Sequence, residues 1–90
     1  MSGPEVTVGI DIGTTSVKAV AADADGTVVA RARVPHGVLS PTAGAFEHDV
    51  DRAWRDGVVR ALGEVADGRS VAGVVVAAMV PSLGAVGADG

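Results

Sequence analysis

The sequence predicts an α/β domain, three strands, a helix and a fourth strand in the order β-β-β-α-β on one mixed sheet. Three observations carry this. Residues 6–12 and 27–34 alternate apolar and small or polar side chains, as half-buried strands do. Residues 54–65 repeat apolar side chains at helical spacing. Residues 71–80 are almost continuous valine and alanine, the composition of a strand buried on both faces and paired in parallel.

In the first strand Val8, Ile10 and Ile12 share a core face, and Thr7, Gly9 and Asp11 share the other. The turn Gly13-Thr14-Thr15 leads to a second strand over 16–22. Asp23-Ala24-Asp25-Gly26 is a tight-turn signal before the third strand, 27–34, so the three meander antiparallel. There Val28, Ala30, Ala32 and Val34 oppose Arg31 and Arg33, the pattern of a sheet with one solvated side, and Pro35 is expected to end it. His36 to His48, with Gly37, Pro41 and Gly44, reads as a surface loop. Asp49 or Asp51 can cap the helix expected over 50–66, whose stripe is Trp54, Val58, Leu62 and Val65 and which stops at Asp67-Gly68. Trp54 is expected to anchor the helix on the sheet. Beyond Pro81, Leu83 to Val86 reads as another short strand reaching the turn Gly87 to Gly90.

A chain of 90 residues is one domain or a piece of one. Chains of this size bury only roughly 60% of their unfolded surface. Apolar residues make up 48%, with one Trp, one Phe and no Tyr, so the core is built from small side chains. The net charge of −4, without a basic run, excludes the electrostatic footprint of a nucleic-acid binder. Cysteine is absent, which excludes disulfides and thiolate metal sites and fits a reducing compartment. No signal peptide is visible, and the apolar run from Val71 is too short to cross a bilayer, so a cytoplasmic protein is expected.

The chemistry concentrates in Val8 to Val20, VGIDIGTTSVKAV. A glycine-containing turn offers backbone N–H groups that a phosphate can approach closely, and Thr14, Thr15 and Ser16 add hydroxyls. Asp11 beside a phosphate would repel it unless a divalent cation, held largely through its waters, lies between them, which implies Mg²⁺. Gly9 leaves space beside Asp11, and Lys18 can supply positive charge. The same residues also suit a hairpin whose Asp and Thr side chains satisfy turn amides. Neither G-x-x-x-x-G-K-[ST] nor G-x-G-x-x-G occurs, so the turn is neither a P-loop nor a dinucleotide fingerprint.

Residues 8–30 resemble the first phosphate motif of the FGGY carbohydrate kinases, in the superfamily of actin, hexokinase and the heat-shock chaperone ATPases. Two further segments extend the likeness. GAFEHDVDRAW is similar to that family's Gly-Trp-x-Glu-(His/Gln)-Asp-Pro-x-x-x-Trp, with Phe46 for its Trp. VAGVVVAAMVPSLGAVGADG is similar to the strand that leads to its sugar pocket.

The resemblance implies a partial N-terminal lobe of ribonuclease-H-like fold over residues 1–90. Asp11 would serve the Mg²⁺ of Mg·ATP, and Gly13, Thr14, Thr15 and Ser16 would touch the transferring phosphate, steadied by Lys18. Met79, Val80 and Pro81 stand where the family commonly places Gln-Met-His or Gln-Arg-Glu against the sugar, and they lack those hydroxyl-binding groups. The catalytic base, the second phosphate motif and the adenosine pocket are expected beyond residue 90, in the second lobe. The parent would phosphorylate a sugar or polyol hydroxyl. The alternatives are an inactive remnant acting as a binding or interaction module, and a superfamily member that hydrolyses ATP without a sugar acceptor.

Glu47 with Asp49 has the form of an acid-base pair, but helix capping accounts for Asp49. His48 reads as a loop or cap residue, His36 as solvated, and Met79 equally as core filler or pocket wall.

Overall fold

The computed structural model describes residues 3–90. β1 (Glu5–Ile12), β2 (Ser16–Ala22) and β3 (Val28–Pro35) form an antiparallel meander. A π-helical turn, Asp51–Asp56, runs into α1 (Gly57–Ala66), and β4 (Ser70–Ala78) returns parallel to β1. The sheet order is β3-β2-β1-β4, which places the β1–β2 turn and the end of β4 at one edge of the molecule.

The alternation read in β1 decides its faces: Val6, Val8 and Ile10 are buried, and Thr7 and Asp11 are exposed. Val17, Ala19 and Ala21 of β2 and Val34 of β3 complete the same apolar face, on which α1 packs. Asp23 closes the β2–β3 turn by accepting the amides of Asp25 and Thr27 at its Oδ1, 2.9 and 3.0 Å away. Gly26 sits there at φ +82°, a left-handed conformation that glycine takes without steric cost. β3 ends at Pro35, as expected; Pro35 lies opposite Ser16, where its missing N–H costs no ladder bond.

Asp49 caps the helical segment, its Oδ1 accepting the amides of Asp51 (3.0 Å) and Arg52 (3.3 Å). The most buried residues of the helical segment are Ala53, Gly57, Ala61 and Val65. Of the expected stripe, Val65 is fully buried and the half-buried Val58 and Leu62 pack against the core, while Trp54 stands outside that cluster. Small residues win the contact because the backbones approach closely: a Cβ on Gly57 would stand 3.0 Å from Val17 Cγ2.

Two further expectations are corrected. β4 is not buried on both faces; Val74, Val75 and Val76 are 44%, 74% and 54% exposed, because α1 packs on β1, β2 and β3 and stops short of β4. Leu83 to Val86 forms no strand, since no ladder partner lies beside it; the segment instead crosses Trp54, with Gly84 against the indole.

Candidate functional site

The β1–β2 turn is narrow. Gly13 N–H donates to the Ser16 carbonyl at 2.9 Å, and a Cβ on Gly13 would come within 3.1 Å of that oxygen. Thr14 and Thr15 form the exposed tip, and among the described residues neither of their amides has an acceptor within the chain. Ser16 is buried, so the hydroxyls exposed at the tip are those of the two threonines. Such a tip offers two N–H donors and the Thr15 hydroxyl to an anion, while the Thr14 hydroxyl donates to Met79 Sδ.

Asp11 and Lys18 are direct cross-strand partners on the face opposite α1, with Ala77 of β4 beside Asp11 and Arg33 of β3 beside Lys18. Both are exposed, and they form no ion pair among the described residues. They border a shallow concavity of about 350 Å³ with Gly9, Val20 and Val75. A Cβ on Gly9 would make only ordinary contact with Val20, 3.6 Å away, so glycine there keeps the concavity open and relieves no clash. The described residues hold no cluster of three or more His, Cys, Asp or Glu able to cage a metal. A lone exposed carboxylate therefore fits a Mg²⁺ ligated mainly by water and phosphate.

Met79, Val80 and Pro81 line a hollow of about 810 Å³ together with Thr14, Phe46, Glu47, His48 and Trp54. Met79 N–H donates to the Ile12 carbonyl at 3.1 Å, which extends the β1–β4 pairing to the lip of the turn. The Thr14 hydroxyl stands 3.5 Å from Met79 Sδ. The β1–β2 turn and the hollow thus share a rim. Trp54 walls this hollow instead of anchoring the helix.

His48 lies in the loop, as read, but His36 is not solvated as expected. His36 is buried at 7% exposure and neither ring nitrogen has a partner among the described residues. Its ring meets that of His48 edge to face, centroids 5.2 Å apart. His48 Nε2 donates to the Thr14 carbonyl at 2.7 Å. Sequence reasoning missed both, because nothing local to either residue records a contact with the turn. The one available signal was His48's place beside Asp49, whose capping fixes where the loop enters the helix.

The description of the FGGY family of carbohydrate kinases, N-terminal domain, matches residues 6–83. The chain belongs to this family. Glycerol kinase from Beutenbergia cavernae is 46% identical over 57 residues, which are 60% of this chain and 11% of that protein. Glycerol kinase from Clavibacter michiganensis subsp. michiganensis is 41% identical over 49 residues, 54% of this chain and 10% of that protein. The crystal structure of xylulose kinase from Rhodospirillum rubrum superposes with a TM-score of 0.77 at 33% identity, covering 84% of this chain and 16% of the other. Gluconate kinase from Lactobacillus acidophilus, at 22% identity and a TM-score of 0.76 over 82% of this chain and 15% of its own, shares the fold. The four-stranded mixed sheet and helix of this FGGY chain are accordingly part of an actin-like ATPase fold. The chain spans 11% and 10% of the length of the two glycerol kinases. Among its described residues no helix is long and apolar enough to cross a membrane.

Proposed function

We propose that this FGGY chain contributes the first phosphate-binding turn and one wall of the acceptor pocket to an ATP-dependent sugar or polyol kinase acting in the cytoplasm. The observation that carries the reading is the shared rim: Thr14 belongs both to the turn and to the hollow walled by Met79, Val80 and Pro81. Donor and acceptor must meet within bond-forming reach, and phosphoryl transfer is chiefly positioning and charge neutralisation.

In this reading Gly13, Thr14, Thr15 and Ser16 form the turn that receives the γ-phosphate of ATP. The open amides of Thr14 and Thr15 and the Thr15 hydroxyl orient it, and Lys18 adds positive charge from the neighbouring strand. Asp11 would hold a Mg²⁺ largely through that ion's waters. When bound, that ion neutralises charge on the phosphates. The acceptor hydroxyl oxygen bonds to the γ-phosphorus, the bond from phosphorus to the ADP oxygen breaks, and the hydroxyl proton passes to a base expected beyond residue 90. Met79, Val80 and Pro81, with Phe46 and Trp54, offer apolar surface to a carbon skeleton, and Glu47 offers a carboxylate to its hydroxyls. The second lobe, with the adenosine pocket, is the partner this site requires; nucleic acid is not.

The test is ADP release by the complete natural polypeptide with Mg·ATP and a panel including glycerol, xylulose and gluconate. Turnover that depends on one acceptor, and an Asp11→Ala variant slower by on the order of 100-fold, are expected. ATP hydrolysis of constant size whatever the acceptor, or no turnover with any, refutes the reading.

A further inference from the structure

The turn tip consists of two peptide planes, and each is held from outside by a histidine. His48 Nε2 donates to the Thr14 carbonyl at 2.7 Å. The backbone N–H of His36 donates to the Thr15 carbonyl at 2.8 Å. A carbonyl oxygen only accepts, so His48 carries a proton on Nε2. The two rings meet edge to face at 79°, and the buried His36 ring backs that of His48.

A trans peptide is planar, and its C=O and N–H point in opposite directions. Holding the Thr14 carbonyl toward His48 therefore aims the Thr15 N–H away from it, outward from the turn. Without that bond the Thr14–Thr15 peptide is free to flip, which would present a carbonyl where the ligand needs a donor. We propose that His48 is a positioning residue for nucleotide phosphate: it sets the orientation of the Thr15 amide, with His36 as its packing support. The proposal rests on the kinase reading and assigns His48 to the phosphate side, although its ring also borders the acceptor hollow.

The experiment compares wild type, His48→Ala and His48→Gln in the complete polypeptide, varying Mg·ATP and the acceptor separately. Glutamine keeps an N–H donor. For His48→Ala, kcat/KM for Mg·ATP should fall about 10- to 100-fold, the scale of losing an orienting partner. The KM for the acceptor should stay within about twofold, as should that of His48→Gln, which recovers most of the Mg·ATP loss. ¹⁵N-histidine NMR should show the His48 proton on Nε2, in a signal that His48→Ala removes. A loss confined to acceptor KM overturns the proposal. So does an equal loss in both variants accompanied by a lower Tm, or a proton on Nδ1 alone. An active wild type matched by His48→Ala overturns this role and leaves the kinase reading standing; an inert wild type overturns both.

Discussion

His36 spends stability at the site. Its ring is buried with two nitrogens that find no partner among the described residues. An unsatisfied buried polar group costs about 1–3 kcal/mol, and an apolar group of the same shape removes that cost. His36→Phe keeps the aromatic packing against His48 and is expected to raise stability by about 1 kcal/mol, read as a higher urea midpoint at unchanged m-value. A lower midpoint would mean that the nitrogens are satisfied after all. At this scale the exposed turn at Gly13, Thr14 and Thr15 and the exposed carboxylate of Asp11 were legible, since each depends on its own backbone or side chain. The histidines were not, because their roles lie in a contact between a loop and a turn distant in sequence.

The helix shows how an element and most of its packing stripe can be read correctly, Val58, Leu62 and Val65 all meeting the core, while its fully buried small residues are not. The end at Asp67-Gly68 follows the sequence signal, with Gly68 at φ +69°. The buried line Ala53, Gly57, Ala61, Val65 advances by four residues per turn, wider than the 3.6 of an α-helix. The π-helical turn Asp51–Asp56, in which Gly57 N–H reaches the Arg52 carbonyl, accounts for the wider step at its start. Gly57 marks the closest approach to Val17. Gly57→Leu is expected to cost about 1–3 kcal/mol by overpacking, measured as a drop in thermal midpoint. An unchanged midpoint would show that the helix can lift from the sheet without loss.

At the scale of the whole molecule, the sheet is covered on one side over three of its strands. β4 presents Val74, Val75 and Val76 to solvent and is an edge strand, while the opposite edge, β3, carries Arg31 and Arg33. A long apolar edge without charges is a template for association, and charged side chains on an edge oppose it. The 90-residue chain by itself is therefore expected to self-associate, and Val75→Lys with Val76→Lys should shift it toward monomer in light scattering after size exclusion. A monodisperse monomer at high concentration would remove the case for association through β4.

The sequence by itself determined the strand and helix order, the faces of β1, the capping of the helix by one of two aspartates, and the tight turn at Gly13-Thr14-Thr15. Each of these depends on periodicity, on φ preference or on hydrogen bonds within a few residues. Tertiary structure alone decided that Ala53, Gly57 and Ala61 are the helix's most buried positions, that β4 stands exposed, that Trp54 walls a hollow, and that His36 and His48 grip the turn. Those outcomes depend on how closely two backbones approach and on which element lies over which, and neither distance is written in the spacing of residues along the chain.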